Sequence, residues 1–172
     1  EAEKRREVLP NPAKPSIPNG DFEEASGDPE EPAGWHYQRQ LELVNDPKAP
    51  SGKRYVKFVN PRPGARCQAL QGFAVDGRQV KGLHVSLWVR GQDIRPSGNE
   101  GQPLVGILFY DENRALVSEE ILGPWRGTFS WQRQAGTVKI PLKAREAVIR
   151  IGLFGATGEL SLDAIEVAPA GN

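Results

Sequence analysis

The 172-residue chain is poor in the residue types that most often carry chemistry, and each scarcity excludes a class of site. Cys67 is the single cysteine, so an internal disulfide and a zinc site of several thiolates are both excluded, and we expect a small buried side chain on a strand. The two histidines, His36 and His84, have no metal-ligand spacing. No Gly-x-Ser-x-Gly motif accompanies them, so the sequence does not indicate a serine-hydrolase triad.

The chain also lacks an excess of either charge, because 22 Lys and Arg residues balance 22 Asp and Glu residues. A neutral chain offers no electrostatic reason to bind nucleic acid or an anionic membrane, and we expect neither partner. No apolar run reaches the length of a membrane span, and methionine is absent even at position 1. We therefore expect a mature or excised fragment, and a signal peptide could have been removed from it.

Glycine and proline are abundant, at 19 and 15 residues, as expected where many turns connect short strands. Roughly nine or ten short alternating or apolar segments follow one another, and none has helical periodicity. The pattern predicts one all-β domain over residues 17–168, a two-sheet antiparallel β-sandwich. Residues 1–16, which are charged and then Pro-rich, predict a flexible tail or linker, and residues 169–172 a short second tail.

The alternation of apolar and polar residues within these segments also predicts the core. Residues 83–90 form the clearest strand. We interpret residues 21–24 as the first strand and residues 160–167 as the last, and we expect these two to be adjacent. The predicted core contains Phe22, Tyr55, Phe73, Val75, Leu83, Val85, Leu87, Val89, Ile149, Ile151 and Leu162.

Two predicted strands turn polar and aromatic side chains outward, and these side chains would line one surface if the two strands share a sheet. Alternation along residues 83–90 and 147–154 gives the candidate ligand-binding residues His84, Trp88, Arg90, Arg150 and Phe154. Tyr110 ends another strand, and Trp125 in a Gly/Pro loop would wall one end of the same face. Aromatic rings stack on sugar rings and arginine forks bind hydroxyls or a carboxylate, so this face suits a glycan.

Structural interpretations of the same residues stay open. Arg90 and Arg150 could pair with acidic neighbours across strands, and Trp88 could pack under a loop. The doublet Glu119-Glu120 is typical of solvated charge. Adjacent strand residues point to opposite faces, so this doublet cannot by itself supply the paired carboxyls of a glycosidase.

Four places in the chain carry a resemblance to a known family. Residues 19–23, Asn-Gly-Asp-Phe-Glu, look like an opening Asn-Gly-x-Phe-Glu, and residues 32–35, Pro-Ala-Gly-Trp, are similar to a following Pro-x-Gly-Trp. Residues 71–75 with 85–91 resemble a central strand pair, and residues 160–167 a closing strand. In this order and spacing the chain resembles the family 4/9/22-type carbohydrate-binding modules of the galactose-binding-like jelly-roll superfamily. The resemblance implies a jelly roll that binds a polysaccharide or oligosaccharide.

The resemblance further implies a structural calcium ion near the meeting point of the termini. Its ligands would be Glu23, Asp163 and the backbone carbonyl of Lys53, and calcium prefers such hard oxygen donors. The sequence departs from the family pattern at two positions. Leu83 stands where an aromatic residue is common, and Ala164 stands where a second Asp is usual.

The expected function is that of a non-catalytic glycan-binding accessory module in a secreted or periplasmic bacterial protein. We expect a monomer, with a catalytic domain as a possible neighbour in the parent chain. Two other classes stay open. A structural or protein-interaction domain of the same fold would show an extended apolar patch. A small polysaccharide lyase or hydrolase would show a cleft with converging ionisable groups.

Overall fold

The computed structural model describes residues 10–98 and 101–170 of the chain. Within these ranges no helix is long and apolar enough to cross a membrane. The described residues form the strands β1 (Ala25–Ser26), β2 (Glu31–Pro32), β3 (His36–Arg39), β4 (Leu41–Asn45), β5 (Arg54–Asn60), β6 (Gln68–Ala74), β7 (Gly82–Arg95), β8 (Leu104–Tyr110), β9 (Leu116–Leu122), β10 (Gly127–Lys139), β11 (Glu146–Gly152) and β12 (Thr157–Pro169).

The strands build two five-stranded antiparallel sheets and a small β1–β2 pair. The first sheet has the order β10-β7-β12-β5-β4, and the second sheet has the order β3-β6-β11-β8-β9. Most consecutive strands lie in opposite sheets, which is the connectivity of a jelly roll. The predicted all-β, two-sheet antiparallel sandwich is confirmed.

The apolar core lies between the two sheets and takes alternate residues from their central strands. β7 contributes every second residue from Leu83 to Val89, and β11 contributes Ala147, Ile149 and Ile151. Every residue of the predicted core is buried, and all of them except Tyr55 belong to the apolar cluster between the sheets. Tyr55 packs instead against Arg90 and Trp131 on the outer face of the first sheet.

The beginning of the domain differs from the prediction, because residues 21–24 form no strand. Phe22 has a φ of 59°, and this left-handed conformation interrupts an extended segment. The segment still lies beside the last strand, since the Ile165 amide donates to the Gly20 carbonyl at 2.8 Å. The two ends of the domain are therefore adjacent, but the first regular strand begins only at Ala25.

The folded region also extends beyond the predicted boundaries of residues 17 and 168. The Asp76 amide donates to the Pro12 carbonyl at 3.0 Å, and Pro15 is buried. At the other end, the Ala170 amide donates to the Gly82 carbonyl at 2.9 Å. Most of the predicted first tail, residues 1–9, and the last two residues of the second tail lie outside the described ranges.

We expect the core to be sensitive to cavities. Replacement of Ile149, which is 0% exposed in β11, by alanine should lower the free energy of unfolding by about 2–5 kcal/mol, because buried methyl groups are lost and a cavity remains. Leu142→Ala is the matched control, since Leu142 is 62% exposed and its truncation should change stability by less than about 0.5 kcal/mol. Denaturant unfolding measures both, and equal effects would contradict the assigned core.

Cys67 is buried, as the sequence predicted, but it lies just before β6 and not within a strand. Burial raises the pKa of its thiol to about 12. The thiol is therefore neutral in the folded protein at mildly alkaline pH. We expect it to resist a thiol-reactive reagent such as DTNB until the protein is unfolded in guanidinium chloride. Rapid labelling of the folded chain, with its circular dichroism unchanged, would show that the site is open.

Candidate functional site

The predicted binding face required two strands to share a sheet, but these strands lie in opposite sheets. β7 belongs to the first sheet and β11 to the second, so the prediction of one continuous face was wrong. His84, Trp88 and Arg90 lie on the outer face of the first sheet, while Arg150 lies on the outer face of the second. Alternation gives the inward and outward residues of each strand, but it carries no information about which strands pair.

Trp125 does not wall a groove, because its side chain is buried and only 5% exposed. Its amide donates to the Pro103 carbonyl at 3.1 Å, which turns the loop after β9 back onto the core. The indole Nε1 is buried without a hydrogen-bond partner. Trp125 therefore packs in the core and does not have the predicted binding role. The neighbouring Pro124 is the residue of this loop that lines the surface groove described next.

A groove of about 740 Å³ opens on the outer face of the second sheet. Its walls come from β6, β8, β9, the end of β11 and the loops beside them. Its lining contains Gly64, Ala65, Arg66, Gln68, Gln102, Leu104, Glu119, Ile121, Pro124, Arg150 and Phe154. Two of the predicted ligand-binding residues, Arg150 and Phe154, thus come together here.

Arg150 is held in place from two directions. Its guanidinium carbon lies 4.8 Å from the centroid of the Phe154 ring, a cation–π arrangement. Its Nε donates to Glu119 Oε1 at 3.1 Å, and its Nη2 donates to the same oxygen. The backbone of Phe154 is fixed beside Arg150, because its amide donates to the Cys67 carbonyl at 3.1 Å and its φ is 48°.

Sequence reasoning missed part of this groove. Glu119 was interpreted as solvated charge, but the structure places it against Arg150 on the neighbouring strands of one sheet. Gln68 and Gln102 carried no recognisable signal, because single glutamines are common on exposed strands and loops. Together the groove offers guanidinium and amide donors, carboxylate and amide acceptors, and apolar surface from Leu104 and Ile121.

The other predicted ligand-binding residues lie elsewhere. Tyr110 ends β8 opposite Glu146, at the end of the sheet away from the groove lining. His84 is exposed near the start of β7, where it pairs with Thr137. Arg90 Nη2 donates to the Tyr55 hydroxyl at 2.8 Å, so the alternative in which this arginine pairs with an acidic neighbour is not what the structure shows.

The three predicted calcium ligands lie together where the ends of the domain meet. Asp163 is 0% exposed, and its carboxylate accepts hydrogen bonds from the amides of Ser51 at 2.9 Å and Ala164 at 2.7 Å. Glu23 Oε1 accepts from the Lys53 amide, whereas Glu23 Oε2 is buried without a partner. The Lys53 carbonyl accepts from the Asp46 amide at 2.8 Å.

This junction crowds carboxyl groups together. Burial raises the pKa of Asp163 to about 7, and the charges of Glu23 and Asp21 add to this effect while the two amide hydrogen bonds oppose it. Within residues 10–98 and 101–170, no group of three or more His, Cys, Asp or Glu side chains could hold a metal ion. A cation here would therefore need backbone oxygens besides Glu23 and Asp163, and such mixed oxygen donors fit calcium.

No protein-family model matches the sequence, and no curated protein matches it significantly. Solved structures do match. A carbohydrate-binding module described as CBM4 is 19% identical, with 90% of this chain and 99% of that chain covered at a TM-score of 0.57. The CBM22-1 xylan-binding domain of Paenibacillus barcinonensis Xyn10C is 12% identical, with 91% and 94% covered at a TM-score of 0.52. The fold is that of the jelly-roll carbohydrate-binding modules.

The same fold also occurs inside longer proteins. The enzymatically active domain of tailspike protein 4 from bacteriophage CBA120 matches at a TM-score of 0.59 with 14% identity. The alignment covers 80% of this chain but only 20% of that chain. At sequence identities below 20%, the likeness to these structures concerns the fold alone. This likeness of fold confirms the resemblance that the sequence motifs indicated.

Proposed function

We propose that the protein is a non-catalytic glycan-binding accessory module of a secreted or periplasmic bacterial protein. The observation that carries the proposal is the groove on the outer face of the second sheet, where Arg150 is fixed over Phe154 by Glu119. A binding residue that is already ordered loses little conformational entropy when a ligand arrives. The likeness of the fold to carbohydrate-binding modules supports the same conclusion.

The chemistry of the groove suits a sugar chain. Arg150, Gln68 and Gln102 offer N–H donors, and Glu119 together with the amide oxygens offers acceptors. A pyranose ring presents both hydroxyl groups and C–H faces. The hydroxyls would bind these polar groups while the C–H faces would rest on Phe154 and neighbouring apolar side chains.

The ionisable groups of the groove support a binding role over a catalytic one. Glu119 is the single carboxyl among the described lining residues, and it is ion-paired with Arg150. Most glycosidases need two carboxyl groups that flank the scissile bond. Release of sugar products from a polymer by the isolated domain would contradict the non-catalytic part of the proposal.

One feature favours a second candidate, a protein-interaction or structural domain of the same fold. Three large hydrophobic side chains, Leu116, Val117 and Ile121, are exposed on β9, the edge strand of the second sheet. Exposed apolar edge strands offer free backbone groups and apolar surface to a partner. This strand also borders the groove, because Ile121 is part of its lining.

We further propose that calcium binds at the junction of the termini, with Glu23, Asp163 and the Lys53 carbonyl among its ligands. The ion would neutralise the buried carboxylates and join three distant segments of the chain. Its role would be structural, since this junction is formed by β12 and the loop before β5 and none of these residues lines the groove.

For the glycan, Arg150→Gln should weaken binding to xylan oligosaccharides roughly tenfold, because the charge-assisted hydrogen bonds of the guanidinium are lost. Isothermal titration calorimetry measures the change. Tyr37→Ala is the control, since Tyr37 is 71% exposed and outside the groove lining, and it should bind as the wild type does. Failure of the wild type to bind any polysaccharide in a broad screen would leave the protein-interaction candidate in its place.

For calcium, an excess of about 100-fold over Kd should stabilise the fold by 2.7 kcal/mol. A chain of this size should then melt roughly 5–10 °C higher than in EDTA. Asp163→Asn, which keeps the shape of the side chain but removes its charge, should lose most of this difference. An identical melting temperature with calcium and with chelator would argue that no structural ion binds.

A further inference from the structure

The outer face of the first sheet carries an arrangement that the groove does not explain. Of the four tryptophans, Trp35 and Trp125 are buried in the core, while Trp88 and Trp131 are only partly buried. Both of these lie on this one outer face, Trp88 on β7 and Trp131 on the neighbouring strand β10. The groove on the opposite face has no tryptophan in its lining.

Two arginines alternate with these tryptophans. Arg133 on β10 is the direct cross-strand partner of Trp88 on β7. The guanidinium carbon of Arg90, two residues further along β7, lies 4.9 Å from the centroid of Trp131. Trp131 and Arg133 are likewise two residues apart on β10, so the four side chains share one face. We call these four residues the tryptophan–arginine patch.

Arg90 is ordered before any ligand binds. It lies 5.2 Å from the centroid of Tyr55 as well as over Trp131, and its Nη2 donates to the Tyr55 hydroxyl at 2.8 Å. Tyr55 and Trp131 meet edge to face with their centroids 5.1 Å apart. This packing fixes the plane of the guanidinium and leaves its other N–H groups free of Tyr55.

The patch has positive charge that the described residues do not neutralise. Neither Arg90 nor Arg133 takes part in an ion pair among residues 10–98 and 101–170. Asp163 is the nearest acidic residue in register, opposite Trp88 on β12, but it is fully buried and holds the amides of Ser51 and Ala164. On β12, Glu159 and the exposed Glu166 lie in the rows on either side of the patch, opposite Gln92 and Ser86.

We propose that this patch is a second glycan-binding surface and that it takes an acidic polysaccharide chain, one that carries uronic acid residues. The partly exposed indole of Trp88 offers aromatic surface to a pyranose ring, since Arg90 already lies over Trp131. The guanidinium forks of Arg90 and Arg133 match the geometry of a sugar carboxylate. The ligand class and the face both differ from those of the groove, so the module binds two chains from opposite sides.

The test is a titration of the whole chain with an oligogalacturonide, which is acidic, and separately with a neutral xylan oligosaccharide. Trp88→Ala and Arg133→Gln should each weaken oligogalacturonide binding about tenfold, and added salt should weaken it in the wild type. Arg150→Gln and the exposed aromatic control Tyr37→Ala should leave it unchanged. Arg133 is exposed on the edge strand β10, so Arg133→Gln serves as the test if Trp88→Ala fails to fold.

The two proposals fail separately. Three results would overturn the second surface. The wild type could fail to bind the oligogalacturonide, both Trp88→Ala and Arg133→Gln could bind it as tightly as the wild type does, or only Arg150→Gln could lose this affinity. The groove is judged on xylan binding and Arg150→Gln alone. If Arg150→Gln abolishes xylan binding and the patch variants bind the oligogalacturonide as the wild type does, the groove stands without the second surface.

Discussion

Both five-stranded sheets must turn one face to a single apolar core, and this constraint decides where the protein can bind anything. A side chain that packs between the sheets cannot also reach a ligand, so functional residues are confined to the two outer faces and the connecting loops. β7 and β11 each bury one set of alternate residues in the same core from opposite sides. Arg90 and Arg150 therefore lie on opposite surfaces, although each contacts aromatic rings.

The same closure brings the ends of the domain together and takes polar groups out of water. Asp163 reaches complete burial because β12 is a central strand and the loop before β5 covers it. A buried carboxylate is costly unless it is paired or hydrogen-bonded. Two backbone amides donate hydrogen bonds to the Asp163 carboxylate, but Glu23 places a second carboxylate beside it. The closure of the fold therefore places two carboxyl groups side by side at this junction.

The period of two was enough to predict the core and the two-sheet class, because burial of one face produces an alternation of apolar and polar residues within a strand. It could not predict which strands pair, since pairing depends on contacts between distant segments such as β7 with β12. Trp125 shows a second limit. A Gly/Pro loop is usually exposed, but here the loop folds back and buries its indole. The ion pair between Arg150 and Glu119 could not be predicted either, because this prediction needs the register between strands that are distant in sequence.

The surroundings of Arg90 and Arg150 differ in one physical respect, which underlies the two proposed ligand classes. Glu119 compensates the charge of Arg150 directly, so this part of the groove offers donors and an acceptor side by side, as sugar hydroxyls require. The partner of Arg90 is a neutral hydroxyl, and aromatic rings hold its plane without removing its charge. An arginine paired with a carboxylate gains little from an anion, whereas an ordered and uncompensated arginine gains a charge-assisted hydrogen bond. The core thus keeps an ion-paired arginine on one surface apart from an arginine held by aromatic rings on the other.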